Sequence, residues 1–290
     1  MDDIPGSRAV SGALTLELVA ARPPLPAGVT FRDDAIGGGN QRVAVRVYYP
    51  GQETGRTGAL LFIHGGAFVF GNLELEHERC LYYAAVAGCV VVAVDYRLAP
   101  EHPYPAALDD CTVALEWLAA RSEELGVDPK RICVGGASAG GALAAGVVLR
   151  ARDEGSVAVA AQLLMYPVLD DRGDYASMTR FDVYDPWDGQ RSRKMWPAYL
   201  GREGDAPIYA APARAPDLRG LPATFMMCCE EDPLRDEDLA FAQRLLSADV
   251  SVELHHYRNT YHAFDVIATP SAIAQRALGE QAQFLRNTIG

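Results

Sequence analysis

The stretch Arg131-Ile132-Cys133-Val134-Gly135-Gly136-Ala137-Ser138-Ala139-Gly140-Gly141-Ala142 decides the fold. Arg131 to Val134 is a short β-branched and apolar run, and Ser138 to Arg150 carries a helical pattern. Gly136, Ser138 and Gly140 make a G-x-S-x-G turn between the two. A nucleophile at a strand-to-helix turn needs a strained backbone with little room around it, and small flanking residues give that room. With Gly and Ser each near ~7% of residues, three fixed positions match by chance in about one chain in ten of this length. The motif alone therefore decides nothing, and its context has to carry it.

Working outward, strand patterns alternate with helical ones. Strands are expected at Arg42 to Tyr49, Ala59 to Ile63, Cys89 to Val94, Gln162 to Tyr166, Thr224 to Cys228 and Val252 to Tyr257. Helices are expected at Glu76 to Ala87, Ala106 to Leu125, Asp236 to Leu246 and Ser271 to Arg286. The near-continuous apolar runs point to strands covered on both faces, hence to a mostly parallel sheet between helices. Pro23-Pro24-Leu25-Pro26 separates an N-terminal amphipathic segment from this pattern, and Gly37-Gly38-Gly39-Asn40 has turn chemistry. Residues 170–215 break the rhythm. They hold Trp187, Trp196, Tyr199 and Tyr209, large side chains that need burial, so the segment reads as an inserted helical cap.

Composition narrows the function classes. The chain has 290 residues, 49% hydrophobic and 22% charged, enough for one sizeable core domain with a minor cap. A formal net charge of -12 argues against nucleic acid and anionic lipid surfaces as partners and suits neutral substrates. The six cysteines form no C-x-x-C pair and read as buried reduced thiols. Without a basic, then apolar, leader or an apolar run of ~18 residues, the chain reads as cytoplasmic with no membrane span.

Three further signals stand beside the serine. His64-Gly65-Gly66-Ala67 follows a buried strand, and the freed N–H groups of such a turn, joined by the N–H of Ala139, can face a developing oxyanion. Asp232 lies just beyond the apolar strand ending at Cys228, on the edge where parallel sheets place their ligands. Its neighbours Glu230, Glu231, Asp236 and Glu237 read as solvated surface. His262 follows the last strand and precedes the final helix, where it can serve as general base. His255 and His256 fall within a strand pattern and read as packing or surface residues. Ser138, Asp232 and His262 occur in the order in which α/β-hydrolases arrange a catalytic triad, with the oxyanion turn upstream.

From about Val43 onward the chain resembles the hormone-sensitive-lipase-like esterases, α/β-hydrolases with an HGGG-type oxyanion motif. The resemblance rests on the HGGA turn, Asp95-Tyr96-Arg97-Leu98-Ala99-Pro100-Glu101-His102-Pro103, GASAGG, Tyr166-Pro167-Val168-Leu169-Asp170, the run Asp232-Pro233-Leu234-Arg235-Asp236-Glu237, and Tyr261-His262-Ala263-Phe264. It implies Ser138 as nucleophile, Asp232 as the acid and His262 as the base, with Gly65, Gly66, Ala67 and Ala139 at the oxyanion hole. It also implies a single α/β-hydrolase domain over residues 1–290, a cap built from about 1–30 and 170–215, no metal or organic cofactor, and a homodimer in many members. Ala67 stands where the family often has a third Gly, and Ala137 where many members have Asp. Alanine keeps its N–H, so the oxyanion turn survives where it demands no positive φ.

The expected activity is hydrolysis of short- to medium-chain carboxylic esters through an acyl-enzyme. The same machinery serves amidases, deacetylases and thioesterases, because the leaving group is chosen by the pocket. A small-ligand receptor on this fold would lack a triad member. A haloalkane dehalogenase or epoxide hydrolase would need a carboxylate where Ser138 stands.

Overall fold

The computed structural model describes residues 3–20, 24–38, 41–51 and 55–290. Pro23, Gly39 and Asn40, named above as break and turn residues, lie outside these. The elements in order are α1 (Ile4–Ala20), β1 (Thr30–Gly38), β2 (Gln41–Tyr49), β3 (Thr57–Ile63), α2 (His77–Ala87), β4 (Val90–Asp95), α3 (Ala106–Ala120), β5 (Val127–Ala137) and α4 (Ala139–Glu154). Then come β6 (Ala161–Met165), α5 (Ala176–Arg180), α6 (Gly189–Leu200), a 3-10 turn at Pro212–Arg214, β7 (Ala223–Glu231), α7 (Arg235–Ser247), β8 (Val252–Tyr261), α8 (Phe264–Ile267) and α9 (Ala272–Ile289).

The eight strands form one sheet in the order β1-β2-β4-β3-β5-β6-β7-β8. The β1–β2 and β2–β4 pairs are antiparallel, and every pair from β4 to β8 is parallel. Because side chains alternate along a strand, each inner strand feeds two cores. In β3, Ala59, Leu61 and Ile63 join the core under α3, α4 and α7, while Leu60 and Phe62 join the core under α2 and α9. Strand β4 divides the same way, Val90, Val92 and Val94 against Val91 and Ala93. This is why both read as unbroken apolar runs.

Three local expectations need correction. The first strand, β1, has an almost wholly exposed pattern with Ile36 its buried residue, so alternation gave no signal. Helix α3 ends at Ala120 rather than near Leu125, because Leu125 and Gly126 donate into turn bonds and Gly126 adopts a left-handed φ of 69°. Strand β8 runs on to Tyr261, since its pairing with β7 resumes after a register shift between Cys229 and Glu231.

The acidic run after β7 departs further from expectation. Glu237 is buried, and its Oε1 accepts the N–H of Leu169 at 2.7 Å and of Asp170 at 3.3 Å. A surface reading failed because the sequence shows the charge run but not the loop whose donors need an acceptor. Asp238 is wholly buried beside it, and burial, reinforced by the charges of Glu237 and Asp232, pushes its carboxyl well above the usual range.

An acid raised in the folded state is neutral there while its unfolded counterpart ionises, so the wild type loses stability as pH rises above the ordinary Asp range. Asp238→Asn removes that loss. Urea midpoints should show the variant gaining on the wild type from pH 5 to pH 8. A gap that stays constant or closes over this range contradicts the assignment.

Candidate active site

The sheet's register assembles the site at the carboxyl ends of its central strands. Ile63 pairs with Gly136, so the turn after β3 lies beside Ser138 after β5. Glu231 pairs with Tyr261, so the next residues on each strand, Asp232 and His262, emerge side by side. His262 Nδ1–H donates to Asp232 Oδ2 at 2.7 Å, and His262 Nε2 accepts from Ser138 Oγ at 2.9 Å. Asp232 is completely buried, and its second oxygen accepts the N–H of Leu234 at 2.9 Å. With Nδ1 held as donor, Nε2 is left free to take a proton from the hydroxyl.

Ser138 sits between β5 and α4 with φ 56° and ψ -120°. Its N–H donates to Met165 O at 2.9 Å, and its carbonyl accepts from Val168 N at 3.1 Å and Ala142 N at 3.1 Å. Gly140 lets α4 press against the end of β3, because a Cβ there would collide with the carbonyl oxygens of Ile63 and His64. Gly136 lies under the same contact. Ala139 opens α4, so its N–H has no acceptor one turn back.

The turn after β3 is built on positive φ at Gly66 (122°), Ala67 (51°) and Phe68 (64°). The Gly66 carbonyl accepts from both Val69 N and Phe70 N at 3.0 Å. Any side chain at Gly66 would run into the Phe70 carbonyl. Ala67 therefore occupies a left-handed position, contrary to the condition set for it above, and pays on the order of 1–2 kcal/mol. Its ring-bearing neighbour compensates, since Phe68 is buried and stacks on Tyr199 of α6 at 3.7 Å.

His64 lies outside the hydrogen-bonded line of Asp232, His262 and Ser138. It is buried, stacked on Tyr96 at 4.2 Å, and its Nδ1–H donates to Gly65 O at 2.7 Å. Burial lowers it to about 4, against which the bond to Gly65 works. His255 is half-buried against Phe225 and His256 is exposed, so neither approaches the serine's partner.

A cavity of about 600 Å³ opens over Ser138 and His262, with Gly65, Gly66 and Ala67 on its wall. Leu14 from α1 and Trp187 ahead of α6 line it from the two segments expected to form a cap, and Tyr166 after β6 and Glu76 at the start of α2 complete it. Trp187 had been singled out for its size and Tyr166 within the motif Tyr166 to Asp170, whereas nothing had marked Leu14 or Glu76 individually. Tyr166 meets the His262 ring edge-on at 4.8 Å. The six cysteines are free and buried, and burial pushes the Cys89 thiol up to about 12. No helix among the described residues is long and apolar enough to cross a membrane.

The chain is similar to known proteins in sequence and in fold. The family model for the alpha/beta hydrolase fold matches residues 60–266. The esterase LipI of Mycobacterium tuberculosis is 35% identical over 84% of this chain and 77% of its own length. Carboxylesterase NlhH of the same organism is 36% identical, over 85% and 79%. Among solved structures, a bacterial heroin esterase superposes with a TM-score of 0.94 at 43% identity, covering 99% of this chain and 92% of that one.

His64 makes a pH test of the turn. Its folded value lies below the ordinary 6.5, so the stability it confers is full above pH 6.5 and is lost as pH falls toward 4. The size is about 3 kcal/mol at ~1.4 kcal/mol per unit. Between pH 7 and pH 4 the unfolding free energy of the wild type should fall by about this amount more than that of His64→Gln. Parallel curves would mean that His64 titrates normally.

Proposed function

Because the chain belongs to the α/β-hydrolase fold family, among the hormone-sensitive-lipase-like esterases, and is a carboxylic-ester hydrolase, we propose that Ser138 is its nucleophile, His262 its general base and acid, and Asp232 the group that orients His262. The observation that carries this reading is the unbroken line from Asp232 through His262 to Ser138, with contacts of 2.7 and 2.9 Å, ending on a serine at positive φ.

In the reaction, Ser138 Oγ attacks the ester carbonyl as its proton passes to His262 Nε2. The imidazolium that forms is stabilised by Asp232, and the oxyanion is received by the N–H groups of Gly65, Gly66 or Ala67 together with that of Ala139. Collapse expels the alcohol, which takes the proton from His262. Water, activated by the same His262, then attacks the acyl-enzyme and restores Ser138.

We further infer that α1 and residues 170–215 form a cap on a single hydrolase domain. Leu14 and the pair Pro186 and Trp187 reach the cavity from these two segments, which supports the reading. A cavity of about 600 Å³ with mainly apolar walls suits acyl chains of short to medium length.

Initial rates on p-nitrophenyl esters from acetate to palmitate test both points. Turnover should peak at the shorter chains and fall by at least ~10⁴-fold in Ser138→Ala. Turnover that survives the substitution removes Ser138 from its role. Gly66→Ala, which displaces the oxyanion turn, should cost roughly 10²- to 10³-fold in kcat with a smaller effect on KM. A purely KM effect would mean that the turn binds substrate without serving the oxyanion.

A further inference from the structure

The cavity wall also holds a buried charge group that hydrolysis of a neutral ester does not use. Arg79 Nε faces Glu76 Oε2 at 2.9 Å, and Arg79 Nη1 faces Asp265 Oδ2 at 3.0 Å. All three residues are buried, with exposures of 8% for Glu76, 6% for Arg79 and 1% for Asp265. Two carboxylates thus share one guanidinium, and the ionised group carries one negative charge that nothing within it balances. Buried charges are normally paired, so an excess of this kind is relieved either by a proton on a carboxylate or by a counter-ion beside it.

The imbalance falls on Glu76. Asp265 has donors besides Arg79: Tyr166 Oη at 2.8 Å and Gln281 Nε2 at 3.4 Å. Among the described residues the Glu76 carboxylate has Arg79 alone. Burial raises its pKa, Arg79 opposes this, and the charge of Asp265 adds to it. Glu76 also stands where two cavities meet. It lines the one that holds Ser138 and His262 and a second of about 650 Å³, with Leu75 and Val266 common to both. Among the described residues no Lys or Arg lines the first cavity, whose aromatic walls are Phe70, Tyr166 and Trp187, while Arg79 lines the second. A carboxylate on a wall shared with aromatic rings, whose cationic neighbour Arg79 is divided between it and Asp265, is the chemistry that recognises an ammonium ion.

We propose that Glu76 is a specificity-determining residue that selects esters carrying a tertiary or quaternary ammonium group, which lies against Glu76 at the junction of the cavities. The inference rests on the esterase reading above. The ammonium supplies the second positive charge that the Glu76, Arg79 and Asp265 group lacks, while the ester carbonyl reaches Ser138.

The test compares kcat/KM for acetylcholine with that for its carbon isostere, in which tert-butyl replaces trimethylammonium. A second pair of methyl esters, with the same two groups on the acyl arm, tells which arm carries the charge. For at least one pair the wild type should favour the charged ester by roughly tenfold or more. Glu76→Gln should bring that ratio down by about tenfold, chiefly through KM for the charged ester, and Glu76→Asp should keep part of it. A merely structural role would lower both esters together. Wild-type ratios of one or less for both pairs, or a ratio untouched by Glu76→Gln, overturn the proposal.

Should Glu76→Gln not fold, or neither pair be hydrolysed, inhibition of wild-type p-nitrophenyl acetate hydrolysis decides. Choline should inhibit competitively at a concentration roughly tenfold below that of its tert-butyl isostere, and equal inhibition overturns the proposal. Turnover of p-nitrophenyl acetate with no ammonium preference removes only this inference. Absence of turnover on every ester removes the esterase reading with it.

Discussion

Ser138 holds a φ of 56° and a ψ of -120°, a conformation that costs a residue with a side chain on the order of 1–3 kcal/mol, so its surroundings must over-determine it. They do so through the main chain. The Ser138 N–H is fixed on Met165 at the end of β6, and its carbonyl receives Val168 and Ala142. The segment from Met165 to Asp170 therefore clamps the serine, and it is clamped in turn. Tyr166 N–H donates to Met227 of β7, and Glu237 of α7 accepts from Leu169 and Asp170. A buried carboxylate nearly a hundred residues away in sequence thus braces the serine backbone through a loop that touches both.

A second strained segment faces the first. Gly66, Ala67 and Phe68 are consecutive residues at positive φ, and two of them carry side chains. What pins them comes from outside the turn. Tyr199 stacks on Phe68, Ala99 N–H donates to Phe68 O at 2.9 Å, and Arg8 of α1 donates to Val69 O at 2.8 Å while its guanidinium grips Glu101. The two segments that reach over the cavity, α1 and residues 170–215, therefore also hold the turn beneath it. Packing over the site and backbone geometry inside it are one mechanical problem.

The sequence made some of this legible and hid the rest for definable reasons. Ser138, Asp232 and His262 could be named because proton-transfer chemistry restricts residue type, and parallel topology restricts where along the chain such residues fall. The inner strands could be named because burial on both faces leaves a continuous apolar run. Strand β1 could not, since it is an exposed edge whose only reason to be extended is its partner β2. Nor could Glu237, whose partners are a pair of loop amides far off in sequence, nor Asp238, whose carboxyl is buried with no hydrogen-bond partner among the described residues. Glu76 and Arg79 fall in a stretch read simply as a helix from Glu76 to Ala87. Only the approach of α8, which brings Asp265, turns the start of that stretch into an interior.

That interior charge group is better understood as a device for position than for stability. A buried ion pair seldom beats a well-packed apolar substitute of the same volume, because desolvation offsets most of the attraction. Its directional demands remain, however. Asp265 lies three residues after His262, and its two oxygens are tied to Arg79 of α2 and to Tyr166, which itself meets the His262 ring. Moving α8 would break a charged contact in a place that water cannot easily repair. The histidine is thus held from two sides, by Asp232 through its ring and by Asp265 through its chain. The second hold is charged, and it reaches through Arg79 to Glu76 on the cavity wall, so what binds at that wall and how His262 is held are linked through a single guanidinium.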